Sequence, residues 1–237
     1  MAQDNIQSTL HETRQFPPSA DFLKTSTLNN DDIQQLYQQA GEDNSLFWEK
    51  QARQEITWQH PFTQTLDSSN APFYRWFSDG KLNVSYNCLD RHLESNADKT
   101  AIIFEGEPGD VQHISYGELH SRVCIFSNAL KAQGIDKGDR VIIYMPMIAE
   151  AVVAMQACAR IGAIHSVVFG GFSASSLKDR IEDTTAKMVI TADGGHRGGK
   201  IIELKATTDA ALKMGCASVE KVIVFKRTGH DINFIEG

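Results

Sequence analysis

The stretch Val141-Ile142-Ile143-Tyr144-Met145 begins a series of three segments that decides the fold. It is followed by a helical segment over about 148–161 and then by the run Ala163-Ile164-His165-Ser166-Val167-Val168-Phe169. The two outer runs are short and nearly all apolar, which is typical of strands that are buried on both faces. Gly162 ends the helix between them. A strand, a helix and a second strand in this order predict a parallel sheet with right-handed crossovers and flanking helices, an α/β fold.

The same alternation continues toward the C-terminus. Gly170-Gly171-Phe172-Ser173 leads into a helix that carries Leu177 and Ile181, and Ser173 is suited to be its N-cap. A strand over 187–191, a helix over 203–214 and a strand over 219–225 complete the series. The paired glycines would permit a ligand to approach the helix N-terminus closely, although a Gly-Gly pair is more often simply a tight turn.

The segment Ala192-Asp193-Gly194-Gly195-His196-Arg197-Gly198-Gly199-Lys200 follows one of these strands. Glycine lets the backbone approach an anion and turn its N–H groups toward it, and ligands of parallel sheets bind beyond the carboxyl ends of strands. This combination predicts a phosphate-binding loop. The segment matches no strict phosphate motif, so a flexible surface turn with two solvated cations remains an equal alternative.

Upstream of the alternation, 100–104 and 111–114 are predicted to pair as a hairpin, and the spacing of Ser115 and Glu118 predicts a capped helix that Gly134 ends. Residues 1–95 are expected to form an irregular N-terminal arm and an aromatic-rich entry segment, and residues 96–237 an incomplete first α/β subdomain. In the arm, Asn30-Asp31-Asp32 is expected to cap one short helix.

Three features of the entry segment have structural interpretations. The aromatics of 46–80 are expected to form an irregular segment anchored in the core rather than a ligand cage. Asn83 and Asn87 are expected to tie backbone groups together, and Asn87 also to cap a helix through Leu89 and Leu93. Asp90-Arg91-His92 indicates an ion pair along a helix rather than a catalytic cluster.

Composition restricts the possible functions. The chain of 237 residues carries 23 basic and 30 acidic residues, a net charge of −7, which argues against general nucleic-acid binding but allows a local anion site. The four cysteines show no paired or metal-binding spacing and are expected to be buried or half-buried thiols in a reducing cytoplasm. No secretory signal is evident over 1–19, and 151–169 is interrupted by polar residues, so no membrane span is expected.

The run WFSDGKLNVSYNCLDRHL over 76–93 closely resembles the entry signature of AMP-forming acetyl-coenzyme A synthetases, members of the acyl-adenylate-forming superfamily. The segment FWEKQARQEITWQHPF over 47–62, FGGFS over 169–173 and the RGGK sequence of the glycine loop are similar to the same family. The resemblance therefore extends from about residue 30 to the end. Propionyl-coenzyme A synthetases share much of this pattern, and Asn87-Cys88-Leu89 favours the acetate enzymes.

The resemblance implies a reaction in which acetate and ATP give acetyl-adenylate and pyrophosphate, after which the coenzyme A (CoA) thiol takes the acetyl group and AMP leaves. It implies that Arg197, Gly198, Gly199 and Lys200 contact the phosphate-bearing nucleotide end of CoA, and that Gly170 and Gly171 line the CoA path. The family often has arginine at the position of Lys200. The resemblance places the ATP site, the Mg²⁺ carboxylate, the acetate pocket and the catalytic lysine beyond this chain, so no catalytic or metal-binding residue is assigned within it.

Three hypotheses follow. The chain ends soon after an apolar strand, so the first is an inactive N-terminal portion of a cytoplasmic acetate–CoA ligase. Its partners would be acetate, ATP, CoA and the remainder of its own polypeptide, without nucleic acid or membrane. The second is a self-contained CoA- or nucleotide-binding module. The third is a structural or interaction protein that keeps the fold without the chemistry.

Overall fold

The computed structural model describes residues 13–234. These residues form two compact units. The first unit comprises the described residues up to Glu55 together with Thr63–Ser78, and the second comprises Ile56–Phe62 and the described residues from Asp79 onward. The prediction that 1–19 holds no secretory signal lies largely outside the described residues.

The first unit contains helices and one short antiparallel strand pair. They are α1 (Ala20–Thr25), α2 (Asn30–Glu42), α3 (Asn44–Glu55), β1 (Leu66–Asp67) and β2 (Arg75–Trp76). Asn29, one residue before the predicted cap, begins α2 in a reciprocal capping box with Asp32. The prediction of an irregular segment is wrong over α3, because Asp43 accepts a hydrogen bond from the Leu46 N–H and the helix contains neither glycine nor proline.

The aromatic side chains of 46–80 differ in burial. Phe62 in the second unit is 2% exposed and packs edge-on against Trp58, with the ring centroids 5.0 Å apart. Trp48 of α3 is exposed, so core anchoring is wrong for it. Phe73, Tyr74 and Trp76 are exposed as well, so core anchoring is also wrong for these three. They lie in or beside a strand pair of only two residues per strand, which is too short to cover them.

The second unit begins with short helical turns that two asparagines hold in place through hydrogen bonds. After α4 (Val84–Cys88) come a 3-10 turn (Asp90–His92) and α5 (Leu93–Asn96). Asn83 caps α4 and donates hydrogen bonds of 3.1 Å to the carbonyls of Ala159 and Arg160. The Asn87 amide accepts from the Thr57 N–H at 2.8 Å and donates to the Thr57 carbonyl at 3.0 Å. The tying role is confirmed for both, but the prediction that Asn87 caps the following helix is wrong, because Asn87 lies inside α4 and the 3-10 turn and α5 have Leu89 and His92 at their N-cap positions.

The rest of this unit is the predicted α/β alternation. In chain order it contains β3 (Thr100–Glu105), β4 (Val111–Ser115), α6 (Tyr116–Ala132), β5 (Arg140–Met145), α7 (Ala149–Ile161), β6 (Ile164–Phe169), α8 (Ala174–Thr184), β7 (Met188–Ala192), β8 (Gly195–Arg197), β9 (Lys200–Ile202), α9 (Leu204–Lys213) and β10 (Lys221–Phe225). The β3–β4 hairpin, the Ser115 cap of α6 and the Ser173 cap of α8 are confirmed.

Four strands form one parallel sheet in the order β10-β7-β5-β6. Alternate residues of β5 enter two different cores: Val141 and Ile143 pack with residues of α6 and α7, whereas Ile142 and Tyr144 pack with residues of α8 and α9. Helices therefore cover both faces of the sheet, which confirms the predicted α/β architecture.

The prediction of a fully buried strand is wrong for β6. Ile164, Val167 and Phe169 are 56%, 53% and 52% exposed. The cause is position, because among the described strands β6 pairs only with β5 and lies at the edge of the sheet.

The prediction of an ion pair along Asp90-Arg91-His92 is wrong about the partner of Asp90. Asp90 is held by Arg160 of α7, whose two terminal nitrogens each donate to the carboxylate at 2.7 Å, and His120 of α6 lies 3.2 Å from it. The Arg160 hydrogen bonds lower the pKa of Asp90 against the opposing effect of burial. Asp90 thus joins the 3-10 turn to two helices of the α/β layer.

The remaining expectations concern thiols and membranes. Cys158 and Cys216 are buried, Cys124 is half-buried and Cys88 is exposed, so the burial prediction is wrong only for Cys88; all four are free thiols. The segment 151–169 is a helix followed by a strand, as predicted. No helix within residues 13–234 is long and apolar enough to cross a membrane.

We predict that Asp90→Asn destabilises the fold by about 2 kcal/mol at pH 7, because it leaves the half-buried Arg160 without its charged partner. Since folding lowers the pKa of Asp90, its stabilisation is present above the unfolded value near ~4 and is lost as pH falls through the folded value. Urea unfolding should therefore show a difference between wild type and variant that shrinks below about pH 4. Exposed Glu94→Gln is the control, and an equal loss in that variant would contradict the assignment.

Candidate functional site: a cleft at the carboxyl edge of the sheet

A cleft of about 360 Å³ lies beyond the carboxyl ends of the parallel strands. Its lining comes from the ends of β3, β5 and β6, the turn of the β3–β4 hairpin, the β8–β9 hairpin, the start of α9 and the loop after β10: Phe104, Glu105, Gly106, Glu107, Met145, Pro146, Met147, Ile148, Phe169, Gly170, Gly171, Gly195, His196, Arg197, Ile202, Leu204 and Arg227. Most of these side chains are apolar, and the cationic ones come from two different loops. The cleft has the position that ligands take in open parallel sheets.

The glycine-rich segment forms an antiparallel hairpin rather than an open loop. β8 and β9 pair with Gly195 opposite Ile202 and Arg197 opposite Lys200, so Gly198-Gly199 is a two-residue turn. Both glycines have positive φ, +59° and +71°, which matches the type I′ turn favoured in such hairpins. The turn therefore holds the two basic residues side by side at its base.

Only some of the predicted site residues lie together in the cleft. Gly170, Gly171 and Arg197 line the cleft together. Gly198, Gly199 and Lys200 are exposed on the projecting turn beside it and do not contribute to its lining. His196 lines the cleft, but nothing in its contacts assigns it the role of a base.

Arg197 is an exposed cation with an aromatic support. Its guanidinium carbon lies 5.2 Å from the centroid of the Phe169 ring. A Cβ atom at Gly171 would lie 2.6 Å from Arg197 Nη1 and 2.5 Å from Phe169 Cε1, so this packing requires glycine at that position. Within residues 13–234 the Arg197 guanidinium forms no ion pair with a carboxylate. Its charge is therefore available to an anionic ligand.

The turn after β6 is held in place by a side chain of the neighbouring strand β5. The buried Tyr144 side chain of β5 donates its hydroxyl to the carbonyls of Phe172 and Gly170, at 2.8 Å and 3.3 Å. A Cβ atom at Gly170 would lie 3.2 Å from the Met145 carbonyl oxygen. The turn therefore approaches the end of β5 closely and exposes its backbone to the cleft.

Asp193, at the end of β7, organises two loops at this edge. Its carboxylate is 2% exposed and accepts hydrogen bonds from the backbone N–H groups of Gly194, Arg227, Thr228 and Gly229, at distances from 2.6 to 3.2 Å. Burial disfavours its charged form, but the N–H donors together outweigh that effect and lower the pKa of Asp193. Sequence reasoning assigned it no role, although an aspartate directly after a buried strand is an available signal.

Arg227 builds the opposite wall and was missed by sequence reasoning. Its guanidinium forms two hydrogen bonds with Asp110, of 2.7 and 2.9 Å, and lies 5.4 Å from the centroid of the Phe104 ring. These bonds lower the pKa of Asp110. The pair joins residues that are 117 positions apart, so no local pattern reveals it. It fixes the β3–β4 turn over the cleft.

The β3–β4 turn also reaches the glycine turn. The Glu107 carboxylate accepts hydrogen bonds from the N–H groups of Gly198 and Gly199, at 3.0 and 2.6 Å. Two backbone donors that converge on one carboxylate form an anion-binding site, and positive φ at successive residues produces it. The described residues therefore suit an anionic ligand. By contrast, no three His, Cys, Asp or Glu residues among them are grouped as metal ligands.

Comparison with known proteins gives a consistent result. Residues 89–232 match the AMP-binding enzyme family, and residues 33–88 match the family described as the acetyl-coenzyme A synthetase N-terminus. An acetyl-coenzyme A synthetase of Methylobacillus flagellatus is 63% identical over 230 residues, which are 96% of this chain and 35% of that protein. Another, of Pasteurella multocida, is 58% identical over 231 residues, 97% of this chain and 35% of that protein.

The chain thus spans about a third of the length of the curated relatives that it matches. The AMP-binding enzyme family covers well over half of it, and the match includes the parallel sheet and the cleft. The chain therefore belongs to the AMP-binding enzyme family, and the acetyl-coenzyme A synthetase N-terminus family covers the segment before that match.

Proposed function

We propose that this chain is part of an acetate–CoA ligase and that its cleft receives the phosphate-bearing nucleotide end of CoA. The observation that carries the proposal is the Arg197 cation, which faces a cleft at the carboxyl edge of the sheet without a carboxylate partner among the described residues. The relatives named acetyl-coenzyme A synthetase support the reaction class. Those names also favour acetate over propionate as the substrate.

In the proposed reaction acetate attacks the α-phosphorus of ATP, and pyrophosphate leaves. The CoA sulfur then attacks the acyl carbon of acetyl-adenylate, the thiol proton is lost, and AMP leaves with the electrons of the C–O bond. The residues of this chain bind and orient one substrate in that sequence. Arg197 would grip a CoA phosphate through its planar fork, Lys200 would add a point charge, and the backbone of Gly170 and Gly171 would leave room for the CoA chain.

The groups that would hold ATP and Mg²⁺ do not come from this chain in our proposal. We assign Arg197, Gly198, Gly199, Lys200, Gly170 and Gly171 to CoA and, as the family resemblance implies, ATP and Mg²⁺ to the remainder of the polypeptide. The four free thiols support a reducing compartment, the cytoplasm.

We predict that the purified native gene product forms AMP only when acetate, ATP, Mg²⁺ and CoA are all present. Coupled detection of AMP measures this, and omission of each component in turn is the control. Propionate in place of acetate should give a lower kcat/KM. A higher kcat/KM with propionate would contradict the acetate assignment, and AMP formation without CoA would contradict a complete ligase reaction.

We predict that Arg197→Glu in the native gene product raises KM for CoA by roughly 10- to 100-fold and changes KM for ATP much less. The loss corresponds to one charge-assisted hydrogen-bonded contact. Arg197→Lys should have an intermediate effect, since it keeps the charge but not the fork. Lys131→Glu, a charge reversal at the end of α6 away from the cleft lining, is the matched control.

Equal effects of Arg197→Glu on CoA and ATP would remove the CoA assignment of the cleft. An equal effect of Lys131→Glu would show that net charge alone is responsible.

We predict that Asp193→Asn raises KM for CoA several-fold and lowers the midpoint of thermal unfolding. Asparagine replaces one acceptor oxygen with an NH₂ donor, which would face the backbone N–H donors of the two loops. Steady-state kinetics and a thermal melt measure the two effects. Exposed Asp231→Asn is the control, and unchanged kinetics in Asp193→Asn would show that the Asp193 loops do not position the CoA site.

A further inference from the structure

The Gly198-Gly199 turn already holds an anion, and that anion belongs to the protein. Glu107 Oε2 lies 3.0 Å from the Gly198 nitrogen and Oε1 lies 2.6 Å from the Gly199 nitrogen. Each carboxylate oxygen thus has its own backbone donor. Phosphate oxygens use the same type of donor, so a carboxylate in this position blocks the amides to a phosphate ligand.

Neither turn depends on this contact for its conformation. In the β3–β4 turn, the Gly106 N–H donates to the Asp110 carbonyl at 2.7 Å, and Arg227 holds the Asp110 side chain. The β8–β9 turn has its own ladder, in which Arg197 pairs with Lys200. The Glu107 side chain is exposed and can rotate away while both hairpins stay in place.

The charges at the turn are arranged so that Glu107 competes with a ligand. Glu107 binds to the backbone of the turn, whereas the Arg197 guanidinium lies on the Phe169 ring. A phosphate attracted to Arg197 therefore meets, in the same cleft, the Glu107 carboxylate that is bound to the adjacent Gly198-Gly199 turn. The two anions repel each other, and only one can use the two amides.

Accordingly, we propose that Glu107 is a resident competitor at the anion site: the CoA phosphate must displace its carboxylate from the amides of Gly198 and Gly199. This inference rests on the proposed function. Glu107 then lowers the affinity of the cleft for CoA and occupies the two amides when CoA is absent. It acts as a residue that tunes affinity and not as a catalytic residue.

The test is the dissociation constant for CoA, measured by calorimetry on the native gene product and its variants. Glu107→Gln removes the charge and keeps the shape of the side chain, and we expect it to bind CoA about fivefold more tightly. Glu107→Ala should bind more tightly as well. Glu203→Gln is the matched control, because it removes an exposed acidic charge next to the β8–β9 hairpin, outside the cleft lining, and no hydrogen bond from the turn amides reaches Glu203 among the described contacts. Its effect should stay below about twofold.

Arg197→Glu, measured in parallel, separates this inference from the proposed function. If Arg197→Glu weakens CoA binding but both Glu107 variants bind CoA with unchanged or lower affinity, the competitor role is overturned and the CoA site stands. Equal tightening by Glu203→Gln and Glu107→Gln would also overturn it, because general electrostatics would then suffice. If Arg197→Glu has no effect on CoA binding, the proposed site itself fails. Thermal melts of each variant confirm that it folds.

Discussion

The carboxylate of Asp193 holds the functional edge of this molecule together. Parallel strands end at one edge of a sheet, and the loops that leave them have backbone N–H groups that need acceptors. Asp193 accepts hydrogen bonds from the loop that follows its own strand and from the loop that follows β10. Its charge is maintained in a buried position by those donors, so the two loops and the carboxylate stabilise one another.

The two walls of the cleft continue from the loops that Asp193 holds. Arg227 belongs to the loop after β10 that Asp193 holds. Its guanidinium binds Asp110 and so fixes the β3–β4 turn. On the other side, the β8–β9 hairpin continues from Gly194 and carries Arg197 onto the Phe169 ring. The cleft between them therefore contains one neutralised arginine and one arginine without a carboxylate partner in the described part of the chain. This asymmetry is what makes one wall structural and the other suited to a ligand.

Local sequence patterns predicted much of the fold. Apolar runs, the caps Ser115 and Ser173 and the helix end at Gly162 identified the elements of the sheet layer, because each depends on neighbouring residues. The exposure of β6 could not be predicted, since it depends on which strand lies at the edge. For the same reason the partner of Asp90 is Arg160 of α7 and not the adjacent Arg91. Within the site, the basic residues were visible as a motif, but Asp193, Arg227 and Glu107 act through contacts distant in sequence.

The most direct test of the account is a crystal structure of the native gene product with CoA bound. We expect a CoA phosphate within hydrogen-bond distance of the Arg197 guanidinium, the CoA chain passing along Gly170 and Gly171, and the Glu107 carboxylate withdrawn from the Gly198-Gly199 amides. CoA phosphates bound elsewhere, with Arg197 still stacked on Phe169 and unliganded, would contradict the assignment of this cleft.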